Sequence, residues 1–143
     1  GPKGTGAITG LFTVLVDGDD HNEPVADAVR GILDGHIVMS RQIGERGRYP
    51  AVDVLKSLSR LASQLHAPEE AELVTNVRRL VATYTDMEEL IRIGAYAPGA
   101  DKQTDRAIRL NEGLDEFLTQ SYSDPTAPDA VFDALRQIYE ASA

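Results

Sequence analysis

Four groups of residues in this chain are of types that could do chemistry. The glycines of "GTGAITG" could cradle a phosphate, but they precede an apolar run and lack the G-x-x-x-x-G-K-[ST] form, which occurs nowhere in the sequence. Asp17, Asp19, Asp20 and Glu23 could bind a cation. A calcium loop, however, needs glycine sixth and glutamate twelfth, and counting from Asp17 those positions hold Asn22 and Ala28. A solvated turn that charges a helix N-terminus is the simpler expectation. His21, His36 and His66 have no i,i+4 pairing and no cysteine beside them, so neither a metal site nor a Ser-His-Asp arrangement follows from their spacing. The fourth group is the run "YPAVDVLKSLSR", which begins with Tyr49-Pro50 and ends with Ser59-Arg60. On pattern alone Arg60 is a surface ion-pair partner and Tyr49 a packing residue at a loop.

The elements that must position these residues change character along the chain. Ile8, Leu11, Phe12, Val14, Leu15 and Val16 form a β-rich apolar run, which predicts a strand covered on both faces. "PVADAVRGILDG" predicts a short helix, with Pro24 in its first turn, Gly35 at its stop and Val25, Val29, Ile32 and Leu33 on its apolar side. "HIVMS" predicts a second strand. Strand, helix and strand within about 40 residues are the size of a βαβ unit, which implies parallel pairing. Two strands make no stable sheet alone, so the rest of the sheet is missing. Leu55, Leu58 and Leu61 then mark the buried side of a short helix capped by Asp53.

From Pro68 onward the pattern is helical. Leu73, Val77, Leu80, Val81 and Tyr84 share one face, which Met87, Leu90, Ile91 and Ile93 continue after a bend near Asp86. "APGAD" breaks the helix. A second helix carries Ile108, Leu110, Leu114, Phe117 and Leu118, and "VFDALRQIYEA" forms a last one. The composition shift near Ala62 to Pro68 divides an α/β remnant, 1–65, from an all-α helical domain, 66–143.

Composition narrows the function classes. With 143 residues, 42% hydrophobic and 26% charged, the chain has material for a core. No apolar run approaches the roughly 18 residues of a membrane span. The start, "GPKGTGAITG", has no basic segment followed by an apolar one, so no secretory signal is expected. The absence of cysteine excludes disulfides and thiol chemistry and fits a cytosolic location. A net charge of -9 repels phosphate backbones and argues against a nucleic-acid partner.

Long blocks of the chain resemble one family. "ITGLFTVLVDGDDHNEPVADAVRGILDGHIVMSRQIGERGRYPAVDVLKSLSR" resembles the end of the nucleotide-binding domain of flagellar and type III secretion ATPases. "LIRIGAYAPGADKQTDRAI" resembles their C-terminal helical domain. "YPAVDVL" is shared with the related rotary ATP synthase catalytic subunit, whereas "GDDHNEP" and "LIRIGAY" point to the secretion branch. The likeness covers nearly the whole chain and is weakest after Gln120 and in the first few residues.

The resemblance implies a C-terminal fragment: the last strands and helices of a RecA-like core, then the helical domain. The phosphate loop, catalytic glutamate and magnesium-binding aspartate would lie upstream, so this chain alone is expected to be inactive. ATP and Mg2+ would be bound mainly there. In these hexamers ATP sits between neighbouring subunits. Arg60 resembles the arginine finger that reaches a neighbour's γ-phosphate; its planar, permanently charged fork suits oxygens gaining charge in the transition state. Tyr49 resembles the aromatic that stacks on adenine in the subunit's own pocket, stiffened by Pro50. Tyr122, in "FLTQSY", falls near a second adenine-facing aromatic of the synthase subunit. The implied partners are a homohexamer, a coiled-coil stalk protein met by the turn 95–105, export chaperone–substrate complexes and the secretion apparatus. The implied place is cytoplasmic, peripheral to the inner membrane. Two alternatives stay open: an isolated partner-binding module, or an F1-type ATP synthase subunit.

Overall fold

A strand exists only through a neighbour that takes up its hydrogen bonds, and the first apolar run shows the consequence. In the computed structural model, which describes residues 4–6, 8–16, 24–124 and 126–141, the segment 8–16 has no assigned strand. Ile8, Leu11 and Leu15 are more than 90% exposed, and no described strand pairs with them. The parallel βαβ unit expected here is not formed among the described residues. The acidic cluster from Asp17 to Glu23, His21, and Gly1-Pro2 lie outside the described residues. The chain divides into two units after Leu33, each described by itself. In the first, helix α1 (Pro24–Ile32) begins at Pro24 as expected. Its expected apolar side is covered only in part: Val29 and Leu33 are half-buried, Val25 and Ile32 are exposed, and Ala26 is the buried residue.

The second unit opens with a two-stranded antiparallel sheet, β1 (Gly35–Met39) and β2 (Val52–Ser59), joined through the short helix α2 (Arg41–Glu45). α1 ends at Ile32, so Gly35 is not its stop but the first residue of β1. A Cβ there would lie 2.6 Å from the Leu58 carbonyl oxygen, so only glycine lets the strands close at this end.

β2 replaces the helix expected from Leu55, Leu58 and Leu61; Leu58 and Leu61 are exposed. The helical signal has a local cause. Gly35 and His36 pair with Ser59 and Leu58, but Val38 and Met39 pair with Asp53 and Val52. Residues 54–57 thus stand opposite Ile37 alone and bulge out of the ladder. Inside the bulge Asp53 Oδ1 accepts from the Leu55 and Lys56 N–H groups, both at 3.1 Å, as a helix cap would. Ser57 Oγ donates back to the Asp53 carbonyl at 2.6 Å, the i to i−4 bond of helical hydroxyls. One helix-like turn sits within a strand.

After the short helix α3 (Ala62–Leu65) the unit is a helical bundle of α4 (Pro68–Arg92), α5 (Lys102–Leu118) and α6 (Val131–Glu140), the last preceded by a 3-10 turn at Pro128–Ala130. Pro68 stands at the first position of α4, and Glu70 reaches back to the Ala67 N–H at 2.8 Å. α4 runs 25 residues as one continuous helix through Asp86. It ends at Arg92, well before Pro98-Gly99, and Gly94 turns the chain out of it: Gly94 takes φ 72°, and the Ala95 and Gly94 N–H groups return to the Leu90 and Ile91 carbonyls. Leu73, Val77 and Leu80 of α4 meet Ala107, Leu110 and Leu114 of α5 and Leu135 of α6 in the core. Arg106 of α5 lies 4.2 Å over the Tyr139 ring and donates to the Tyr139 carbonyl, which holds the end of α6. No helix among the described residues is long and apolar enough to cross a membrane.

The α4–α5 turn is braced by its two acids. The Asp105 carboxylate accepts from the Gly99 N–H at 3.0 Å and from the Tyr96 hydroxyl at 2.9 Å. Asp101 caps α5, accepting the Thr104 N–H and hydroxyl, both at 2.7 Å. These bonds hold the Asp101 carboxyl below its usual range, the Thr104 hydroxyl contributing most. A depressed folded value gives stability that is present above the unfolded pKa and lost as pH falls through the folded one. Asp101→Asn keeps a capping oxygen but cannot titrate. Its melting temperature is expected to fall less steeply than wild type below about pH 4. Parallel curves in a thermal-melt series would exclude this role.

Candidate functional site

Tyr49 lies in the connection that enters β2, and its peptide bond to Pro50 is cis. Its ring is more than half exposed, yet its hydroxyl end closes on α2: a Cβ on Gly44 would lie 3.4 Å from the Tyr49 oxygen. The backbone around it is tied on several sides. The Tyr49 carbonyl accepts from the Gln120 N–H at 2.7 Å, and the Ala51 carbonyl from the Ser40 N–H at 2.8 Å. Arg48, nearly buried, donates to the Val52 carbonyl at 3.3 Å and reaches Asp115 of α5 at 3.5 Å. Arg46 pairs with Glu88 of α4 at 2.6 Å. The result is a stiff, partly exposed aromatic face, which suits stacking on a planar ring.

Arg60 lies at the other end of β2. Its N–H donates to the Asp34 carbonyl at 2.8 Å, and its side chain is exposed. Val52 and Ser59 face Met39 and Gly35, four residues apart on β1. At roughly 3.3 Å per residue the two ends of β2 are about 13 Å apart. Tyr49 and Arg60 lie outside these ends, so the structure does not bring them together. It does bring the Tyr122 segment to Tyr49, since Gln120 lies two residues before Tyr122. The Tyr122 ring itself is fully exposed.

The supports of this arrangement could not be read from sequence. Arg46, Arg48 and Gln120 meet partners 42 to 71 residues away (Gln120 to Tyr49 is 120 − 49 = 71). Arg78 of α4 donates to the Leu55 and Ser57 carbonyls at 3.0 and 3.3 Å. Its only sequence mark is a place beside the core residue Val77. His36 Nε2 lies 3.1 Å from the Lys56 carbonyl, and the His66 ring stands edge-on to Phe132. Both are structural contacts.

These residues fit some parts of a nucleotide and not others. An exposed aromatic suits a base, and an exposed arginine suits phosphate oxygens. Among the described residues no group of three acidic or histidine side chains is placed to hold a cation such as Mg2+.

Comparison with known proteins adds to this geometry. Residues 1–59 match the ATP synthase alpha/beta family nucleotide-binding domain, and residues 66–137 match the T3SS EscN ATPase C-terminal domain. The chain is 57% identical over 141 residues to a flagellum-specific ATP synthase of Caulobacter vibrioides, covering 97% of this chain and 32% of that protein. It is 48% identical over 133 residues to the SPI-2 type 3 secretion system ATPase of Salmonella typhimurium, covering 93% and 31%. It therefore spans about a third of the curated relatives it matches. Among solved structures, the assembled ATPase EscN of the enteropathogenic E. coli type III secretion system superposes with a TM-score of 0.84 at 36% identity, over 88% of this chain and 31% of that one. EscN in complex with its central stalk EscO superposes with a TM-score of 0.76 at 35% identity, over 81% and 29%. A remnant of a nucleotide-binding domain followed by a helical domain, with both family matches in that order, shows that the chain belongs to the flagellar and type III secretion ATPases of the ATP synthase alpha/beta superfamily.

Proposed function

We propose that this chain is the C-terminal portion of an ATP-hydrolysing protein-export ATPase that energises flagellar or type III secretion. The observation that carries the proposal is the likeness to secretion and flagellar ATPases across both of its matched parts, residues 1–59 and 66–137. Tyr49 forms an adenine wall in its own subunit, with Tyr122 near it. Arg60 acts in trans as an arginine finger on a neighbour's γ-phosphate. Their placement at opposite ends of β2 supports this division, because one residue then serves each of two nucleotides. ATP supplies the scissile γ-phosphate; water attacks it with help from residues outside this chain.

The assembly proposed is a homohexamer in the cytoplasm, peripheral to the inner-membrane export apparatus, docking a coiled-coil stalk protein and chaperone–substrate complexes but no nucleic acid. The likeness to EscN with its stalk EscO supports the stalk. The turn 95–105 is the proposed stalk contact. Charge reversal at Asp101 or Asp105 would be a poor test of it, because both acids brace the turn and the turn itself would be lost.

Magnesium-dependent ATP hydrolysis tests the proposal. The full-length protein containing this chain is expected to turn over ATP, and this chain alone is not, since no phosphate loop occurs in it. Turnover by the chain alone that survives repurification, or none by the full-length protein, would overturn it.

Tyr49→Ala in the full-length protein should raise the nucleotide Kd about tenfold, from the loss of roughly 1.4 kcal/mol of stacking and contact area. Tyr49→Phe should be nearly silent, because the ring does the stacking. Equal harm from both substitutions, read by nucleotide titration, would shift the role to the hydroxyl.

A further inference from the structure

We infer that Arg78 is a positioning residue for Arg60, holding from α4 the segment that delivers the finger. The inference rests on the proposed role of Arg60. β1 holds Ser59 and Leu58 in the ladder, but residues 54–57 before them leave it, so the bulge needs support from elsewhere. Within the bulge Asp53 takes the Leu55 and Lys56 N–H groups, and β1 adds two ties: the Val38 N–H donates to Ser57 Oγ at 3.0 Å, and His36 Nε2 lies 3.1 Å from the Lys56 carbonyl. The carbonyls of Leu55 and Ser57 face α4, and the two terminal nitrogens of Arg78 take one each, at 3.0 and 3.3 Å. A planar fork matches two such acceptors at once, whereas a lysine offers one point charge.

The anchor behind that fork is firm. Arg78 lies between the buried core residues Val77 and Leu80 on a 25-residue helix. Ser57 precedes Arg60 by three residues, and the Arg60 N–H is itself fixed to the Asp34 carbonyl. The backbone at the root of the finger is therefore held by Asp34 and the Ser59 and Leu58 ladder pairs on one side and, through Ser57, by α4 on the other. A group that must meet phosphoryl oxygens at hydrogen-bond distance tolerates little displacement; a 1 Å error can cost about 10²-fold in rate. α4 also holds Arg46 through Glu88, ten residues further along the helix, or about 15 Å at the α-helical rise. A shift of α4 is thus transmitted towards both ends of β2, and the helical domain has a physical handle on the finger.

Steady-state kinetics and nucleotide titration on the full-length ATPase test this with Arg78→Gln, Arg78→Lys, Arg60→Ala and the Arg60→Ala/Arg78→Gln double variant. Arg78→Gln is expected to lower kcat about tenfold with nucleotide Kd unchanged, and Arg78→Lys to fall between it and wild type. The double variant should be no slower than Arg60→Ala, since a misplaced finger and an absent one fail at the same step. Wild-type kcat in Arg78→Gln beside a collapsed Arg60→Ala overturns the inference and leaves the finger role standing. Losses that multiply in the double variant overturn it as well, because Arg78 would then act elsewhere. Wild-type kcat in Arg60→Ala removes the finger role and the inference with it. If Arg78→Gln does not fold, as judged by its melting curve, Arg78→Lys decides: an undiminished kcat there overturns the inference.

Discussion

In the full-length ATPase, Arg60→Ala is expected to lower kcat on the order of 10³-fold or more while leaving nucleotide Kd nearly unchanged. The side chain is exposed at the end of β2, outside any core, so its removal should not disturb folding. Its proposed target is a neighbour's γ-phosphate, whose oxygens gain charge only as the reaction proceeds. An interaction made mainly in the transition state is lost from kcat and not from ground-state binding. Arg60→Lys should recover little, since an ammonium cannot span two oxygens as the guanidinium does. Mixing Arg60→Ala subunits with subunits mutated in the phosphate loop should restore part of the activity, because some interfaces then combine an intact loop with an intact finger. Near-normal kcat in Arg60→Ala would return this residue to an ordinary surface ion-pair role.

The parts of the fold that could be read from sequence are those decided locally. α4 and α5 follow from a 3.6-residue apolar repeat whose residues Leu73, Val77, Leu80, Leu110 and Leu114 are the ones buried. β2 was misjudged for an instructive reason. Asp53 does bond the two N–H groups a helix cap would bond, and Ser57 does bond back four residues, so the helical signal is real but lasts one turn. Whether the chain then continues as helix or strand depends on β1, about 20 residues away, and on Arg78 beyond it; neither leaves a periodic mark. The segment 8–16 shows the opposite case. Its strand pattern is strong, but a strand needs an edge to pair with, and none is supplied by the described residues. Tyr49, Arg60 and Tyr122 were found through family likeness. Their supports, Arg46, Arg48, Arg78 and Gln120, were not found, because each acts on a partner distant in sequence, and charge patterning reports only neighbours on one helix.

Leu110→Ala should destabilise the helical bundle by about 3 kcal/mol, and urea unfolding of the chain should show it as a lower midpoint with an unchanged slope. Leu110 is 5% exposed and sits where α5 faces α4 and α6. Truncation removes the burial of a side chain and leaves a void that the neighbouring leucines fill only in part. The choice of Leu110 over Leu114 matters. Leu114 borders an existing cavity of about 380 Å³ between the β2 bulge and the helices, together with Val74, Val77 and Phe117. A methyl group lost beside open space leaves less new void than one lost from packed core, so Leu114→Ala should cost less. Leu90→Ala on α4 is the surface control: Leu90 is 43% exposed, and its loss should move the midpoint little. The loss at Leu110 is large against the about 5–15 kcal/mol typical of a whole domain. In the full-length ATPase it should therefore loosen the α4 framework that carries Arg78 and Glu88 before it unfolds the nucleotide-binding core. Equal midpoint shifts for Leu110→Ala and Leu90→Ala would show that the bundle is not packed around Leu110.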